Sequence, residues 1–220
     1  MKSKIQVPPE MYYGKYDNLD RFISYFHQIE LVKPFKGGRI LEVGIGNKTV
    51  ANYLRHHGYD IITCDFDGVL CPDHVADIRA LPFEDNSFDV ILAYEILEHL
   101  PFGDVPKALS EMHRCTKQSV LVSVPYSAAL IELQSNIRLP RISKKWNIAL
   151  RIPYFMIKTK MNDRNVEHYW EIGRYSYSKS RIRKLLMTYY HIEKEFMAPM
   201  DSYHYYYALR KKYGSSEKSA

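Results

Sequence analysis

From Leu19 to Val32 the apolar residues Leu19, Phe22, Ile23, Phe26 and Ile29 recur at steps of three and four. That spacing predicts an amphipathic helix, opened by Asp17-Asn18 and closed near Lys33-Pro34. The short apolar run Arg39–Val43, a glycine turn and the helix-compatible stretch Val50–Arg55 read as strand, turn, helix. The order repeats, with strands over Asp60–Cys64, His74–Ala76 and Phe88–Ala93, a helix over Val105–Cys115 and a strand over Ser119–Val124. Strands alternating with helices imply a mostly parallel sheet covered on both faces. Residues 127–167 interrupt this rhythm with Pro140, Pro153 and scattered basic and aromatic residues, and read as an inserted cap. A helix over Ser176–Tyr190 then precedes two strands, Ile192–Met197 and Tyr203–Leu209, expected as an antiparallel hairpin that completes a seven-stranded sheet at its edge. The aromatic run Tyr203–Tyr207 reads as a half-buried edge strand. The pattern divides the chain into an N-terminal helical segment (1–37), a core (38–126), the cap (127–167), a C-terminal helix and hairpin (168–213) and a polar tail (214–220) expected to be disordered.

Composition adds limits to this picture. With 220 residues and 46% apolar content the chain fills the core of one ordinary domain. Its N-terminus has no signal-peptide pattern and charge interrupts every apolar run, so the expectation is a soluble, cytoplasmic protein. Cys64, Cys71 and Cys115 are too few for a disulfide framework, and no Cys-x-x-Cys or Cys/His cluster offers metal spacing, so no metal is expected. The net charge of +6 is uneven: residues 1–136 carry 13 Lys and Arg against 18 Asp and Glu, residues 137–220 carry 18 against 7. The basic C-terminal third suits an anionic partner such as a phosphate, an acidic sugar, a nucleic acid or a lipid headgroup.

The chemistry lies at the strand ends, where ligands of open α/β sheets bind. Gly44-Ile45-Gly46 follows the first strand and lets the backbone approach a ligand. Acidic residues then stand at successive strand ends: Glu42, Asp65 with Asp67 as the near alternative, and Asp77 followed by Ile78. A carboxylate at the end of the second strand suits ribose hydroxyls, and Asp77-Ile78 suits an adenine amino group and ring. The runs Ile40–Gly46, Cys64-Asp65, Ala76–Val90 and Glu95-Ile96-Leu97-Glu98-His99-Leu100-Pro101 together resemble the class I S-adenosylmethionine-dependent methyltransferases, in particular the branch acting on small molecules, quinone precursors and sugars. The resemblance spans residues 38–126 and implies a Rossmann-like α/β fold with S-adenosylmethionine as cofactor. It further implies Glu42, Gly44 and Gly46 around the methionine moiety, Asp65 on the ribose, Asp77 and Ile78 at the adenine, and Tyr94 with Glu95 lining the transfer site. One departure stands out: Lys48 occupies the place of the family's usual third glycine.

Methyl transfer from a sulfonium requires alignment first, and a base only when the acceptor is a hydroxyl or a protonated amine. Candidate bases are His168, His99 and Glu95. His99 reads more readily as a brace for the following helix, Glu98 reads as structural, and His168 is preferred because the resemblance implies a similar His-aromatic segment before the C-terminal helix, over the active site. No Asn/Asp-Pro-Pro-Tyr/Phe motif follows the fourth strand, which argues against nucleobase amino methylation. Residues 137–160 carry seven Lys and Arg and no acid, interleaved with Trp146, Tyr154 and Phe155. They suit a lid over a small-molecule or glycan-type, anionic acceptor, and contact with a membrane surface. The alternatives are an RNA methyltransferase, since basic and aromatic residues also suit nucleic acid, and a non-catalytic S-adenosylmethionine-binding module. Oligomeric state is not legible.

Overall fold

The computed structural model describes residues 12, 16–153, 168–201 and 203–213. Tyr154, Phe155 and the rest of the cap beyond residue 153 lie outside them, as do the tail 214–220 and most of the first fifteen residues. Helix α1 (Leu19–Val32) begins where the sequence places it, with the Asn18 side chain accepting from Arg21 N–H at 3.0 Å, a cap worth about 1 kcal/mol. Strand β1 (Arg39–Val43), helix α2 (Thr49–His56), and strands β2 (Asp60–Asp65), β3 (His74–Val75) and β4 (Phe88–Tyr94) follow. Helix α3 (Val105–Cys115) leads into β5 (Thr116–Pro125). Next come β6 (Ala128–Leu139) and β7 (Ile142–Pro153), then α4 (Lys179–Tyr189), β8 (Tyr190–Met197) and β9 (His204–Lys211).

Seven strands form one sheet in the order β3-β2-β1-β4-β5-β9-β8. The first five run parallel and β9 is antiparallel to both neighbours, so the sheet is the Rossmann-like one expected. Both faces are covered, which explains why the central strands read as unbroken apolar runs. Ile40, Val90, Leu92 and Leu121 point to the α1/α2 side with Tyr25, Val32, Val50 and Leu54. Leu41, Val43, Ile91 and Val122 point to the α3/α4 side with Leu109, Met112, Ile182 and Leu186.

Two expectations need correction. Helix α1 packs through Ser24, Tyr25, Gln28 and Val32, while Leu19, Phe22 and Phe26 of the expected apolar face are exposed. The sheet meets the face carrying Tyr25 and Val32, and local polarity did not reveal which face that would be. Strand β9 is not the edge: β8 lies outside it, so Tyr205, Tyr206 and Tyr207 are core residues. Cys71 is exposed, whereas Cys64 and Cys115 are buried; all three are free thiols. The described part of the cap is itself regular. Strands β6 and β7 pair along their whole length, from Ala128↔Pro153 to Leu139↔Ile142, as a separate two-stranded arm. No helix among the described residues is long and apolar enough to cross a membrane.

Candidate active site

At the carboxyl end of β1, Gly44 has φ +79° and donates its N–H to Cys64 O at 2.8 Å. A Cβ at this position would stand 1.9 Å from Ile96 Cδ1, so both the backbone and the space demand glycine. Asp65 ties this turn to β2: its Oδ2 accepts from Ile45 N–H and its Oδ1 from Asp67 N–H, each at 2.9 Å. Burial pushes the Asp65 carboxyl above its usual range. Asp67 lines the same cavity, and its Oδ1 accepts from Val69 N–H at 3.0 Å. Glu42 is buried beneath the turn, its Oε2 has no hydrogen-bond partner, and burial raises its pKa to about 8. Asp77 holds Arg79, which also pairs with Asp104, each at 2.6 Å. Ile78 is buried beside it.

Lys48 adopts a left-handed conformation of the kind glycine favours (φ 63°, ψ 14°), and its Nζ donates to Cys71 O at 3.0 Å. Asn47 Oδ1 accepts from Thr49 N–H at 3.1 Å, closing the start of α2.

Across the cleft, β4 ends at Tyr94, whose hydroxyl donates to Gln28 O at 3.2 Å. Glu95 follows in a left-handed conformation (φ 55°), with its Oε2 3.6 Å from His204 Nε2. His204 in turn meets Asp201 Oδ1 at 2.7 Å through Nδ1. Burial pulls the His204 pKa down, but the facing Glu95 and Asp201 carboxylates outweigh it and hold the ring above its ordinary value. The segment beginning at His168 is bound to the short turn Leu97–His99 by two bonds, Tyr169 N–H to Glu98 O at 2.8 Å and Trp170 Nε1–H to Leu97 O at 3.1 Å. These bring the His99 and His168 rings edge to face, with centroids 4.8 Å apart.

His168 Nδ1 lies 2.8 Å from Glu171 Oε1, which also accepts from the Tyr203 hydroxyl at 3.2 Å. Ser127 and Arg174 donate to the other Glu171 oxygen. Burial works against the Glu171 charge, yet bonds from His168 and Ser127 and the Arg174 charge bring its pKa down to about 2. Glu98 is fully buried and neither carboxyl oxygen has a hydrogen-bond partner; burial and then the Glu95 charge drive its pKa well up.

One cavity of about 580 Å³ joins the two halves, and all ten residues singled out in the sequence line it: Glu42, Gly44, Gly46, Asp65, Asp77, Ile78, Tyr94, Glu95, His99 and His168. The sequence reading missed Tyr12, Tyr16, Arg21 and Tyr203, which also line the cavity. It also missed Glu171, the partner of His168. For Glu171 the signal was present, since a glutamate three residues after a histidine within Val166–Gly173 reaches it in a tight turn. The tyrosines carried none.

Comparison with known proteins bears on the domain and the fold. Residues 41–124 match the family model described as a methyltransferase domain. A demethylmenaquinone methyltransferase of Renibacterium salmoninarum is 34% identical over 99 residues, which cover 40% of this chain and 41% of that protein. The chain thus aligns to less than half of that relative's length. Among solved structures, magnesium protoporphyrin IX methyltransferase from Synechocystis with bound S-adenosylhomocysteine superposes with a TM-score of 0.61 at 12% identity, covering 92% of each chain. The N-methyltransferase NodS from Bradyrhizobium japonicum, in complex with S-adenosylhomocysteine, gives 0.58 at 12% identity, covering 90% of each. Residues 41–124 thus carry a methyltransferase domain, set on the Rossmann-like sheet that these solved methyltransferases share.

Proposed function

We propose that the protein transfers the methyl group of S-adenosylmethionine to a hydroxyl or amine of a small-molecule or glycan-type acceptor that is anionic. The observation that carries this reading is the orphaned Glu42 oxygen. A buried carboxyl with an unpartnered Oε2, facing a cleft lined by Asp65 and Gly44, fits the ammonium of a methionine moiety. Glu42, Gly44 and Gly46 would hold that moiety, Asp65 the ribose, and Ile78 the adenine ring, with Asp77 reaching the adenine amino group from its pairing with Arg79. When bound, the cofactor supplies a methyl on a cationic sulfur for in-line displacement by an acceptor lone pair. The chain's own work is to align that lone pair and exclude water. Tyr94 and Glu95 stand at the junction of the two halves. Candidate bases are His168, held by Glu171, then His99 and Glu95. Mass spectrometry of cell extracts incubated with methyl-labelled cofactor tests the reading directly: a labelled small molecule is expected, and labelled RNA or no label at all would overturn it.

The β6/β7 arm gives the acceptor its setting. Register and alternation put Ile131, Leu133, Ile137, Trp146, Ile148, Leu150 and Ile152 on one face, all 40–67% exposed, with Arg138, Arg141 and Lys144 exposed towards the tip. An apolar face bordered by cations matches an anionic lipid surface, into which the side chains settle while the strand edges stay hydrated. Trp146 is the sole aromatic residue of the arm, which gives a nucleic acid little to stack on. A cytoplasmic enzyme resting on the membrane would meet an amphipathic, anionic acceptor there. Removal of residues 128–153 should abolish vesicle binding and acceptor turnover while leaving S-adenosylhomocysteine binding intact. Undiminished sedimentation with phosphatidylglycerol vesicles would remove the arm from this role.

A further inference from the structure

We propose that Glu98, His99 and His168 form a divalent metal site at the acceptor end of the cleft, taking a first-row transition ion such as Mn²⁺ or Zn²⁺. One ligand atom from each of the three residues lies within 4.8 Å of the others. Two ligands about 2.1 Å from one ion stand about 3.0–3.4 Å apart in octahedral or tetrahedral geometry, so side-chain rotation has to draw the three groups together by up to about 1.5–2 Å. The cluster is built rather than incidental. The two backbone-directed bonds from Tyr169 and Trp170 fix His168 against the Leu97–His99 turn, so ligands 69 residues apart in sequence sit on one rigid joint.

Two independent observations point to an ion. Glu98 is 0% exposed and both its carboxyl oxygens lack a hydrogen-bond partner, as does Glu95 Oε1 beside it. Buried acids without partners demand either a proton or a cation. Secondly, Glu171 engages Nδ1 of His168, which leaves Nε2 as the nitrogen available to an ion. A carboxylate on the far nitrogen is how metal-bound imidazoles are oriented and made more basic. Ser127, Arg174 and Tyr203 anchor that carboxylate in turn.

Two imidazoles with one or two carboxylates suit Mn²⁺ to Zn²⁺ better than Mg²⁺ or Ca²⁺, which prefer all-oxygen shells. His99 and His168 line the cleft, so the remaining coordination positions face the acceptor. Such an ion would receive hydroxyl or carboxylate oxygens of the acceptor and hold them for transfer; with the ion bound, His168 and His99 act as ligands rather than as bases, and of the candidate bases Glu95 alone keeps that role. This narrows the acceptor to an oxygen-bearing class, and in that respect it rests on the proposed methyl transfer. Ion binding itself does not.

The test uses the untagged full-length chain, stripped with EDTA and returned to chelator-free buffer. Mn²⁺ is titrated with electron paramagnetic resonance detection and Zn²⁺ by calorimetry, and S-adenosylhomocysteine binding is measured in parallel as the check on folding. One ion per chain is expected. Glu98→Gln and His168→Asn should each weaken it by about 100-fold or more, and Glu171→Gln by about tenfold, as losses of inner and outer ligands do. Should Glu98→Gln lose S-adenosylhomocysteine binding, His168→Asn decides alone. Absence of stoichiometric binding at about 1 mM Mn²⁺ or Zn²⁺, or equal binding by wild type and a folded variant, overturns the site. Failure of the wild type to bind S-adenosylhomocysteine would instead strike the proposed function and leave the metal result readable.

Discussion

The two halves of the cleft are built differently. On the cofactor half, Glu42, Gly44 and Asp65 stand on neighbouring strand ends, and backbone groups a few residues away or on the adjacent strand fix the turn between them. On the acceptor half, Glu95, Glu98, His99, His168, Glu171, Tyr203 and His204 come from three separated stretches and are organised mainly by one another's charges and hydrogen bonds. The first half therefore resists change through backbone geometry, the second through side-chain pairing. Substitutions that separate geometry from charge test that difference.

The largest effect is expected at Gly44. Gly44→Ala puts a methyl 1.9 Å from Ile96 Cδ1 at a φ of +79°. Strain and overpacking together should cost about 2–4 kcal/mol of stability and abolish measurable S-adenosylhomocysteine binding. Thermal melting and calorimetry read both. A variant that melts within a degree of wild type would mean that the turn yields freely, and the cofactor half would lose its claim to backbone rigidity.

Glu42→Gln asks what a buried charge costs there. An acid whose folded pKa is about 8, against an unfolded value near 4.5, loses the folded state stability as pH rises between those values. Below the lower value both states are protonated and the cost vanishes; at pH 7 it is about 3 kcal/mol. The glutamine variant, free of that titration, should melt higher than wild type without cofactor. Its advantage should be absent near pH 4, grow through neutrality and level off beyond pH 8. The same variant should bind S-adenosylhomocysteine about 10–100-fold more weakly, since an ammonium loses its counter-charge. A variant neither more stable nor weaker in binding would show that Glu42 has a partner other than the cofactor.

Asp65→Ala should cost about 1–3 kcal/mol of cofactor affinity through lost charge-assisted bonds, and unchanged affinity would move the ribose contact to Asp67. His168→Ala, on the other half, should lower turnover while leaving cofactor affinity within about threefold. Full turnover would transfer the role of base to His99 or Glu95, or show that no base is needed.

The same contrast explains what was legible in the sequence. Strand ends, the glycine turn and their acids are local, and the repeating strand–helix order fixed the sheet from β1 to β5. Glu171 and Tyr203 acquire meaning only when β5, the His168 segment and the start of β9 converge, through Tyr126↔Ile172 and Tyr126 N–H to Tyr203 O. The buried face of α1 depended on the sheet beneath it. Strands β6 and β7 went unread because Pro140-Arg141 lacks the Asn-Gly or Asp-Gly signal of a two-residue hairpin, although Ile131, Leu133, Ile137 and Leu139 already fall on odd positions.

The smallest effect is expected at Lys48, which stands where the resembled family carries glycine and itself holds a left-handed conformation. A left-handed lysine costs about 1–2 kcal/mol that glycine does not. Against this, Lys48→Gly adds about 0.5–1 kcal/mol of chain entropy in the unfolded state. It also removes the bond from Nζ to Cys71 O, worth about 0.5–1 kcal/mol at an exposed site. The terms nearly cancel, so stability should change by less than about 1 kcal/mol and S-adenosylhomocysteine affinity by less than about threefold. A gain of about tenfold in affinity would mean that the lysine holds the turn slightly out of shape, and the backbone of the cofactor half would then be less settled than its hydrogen bonds imply.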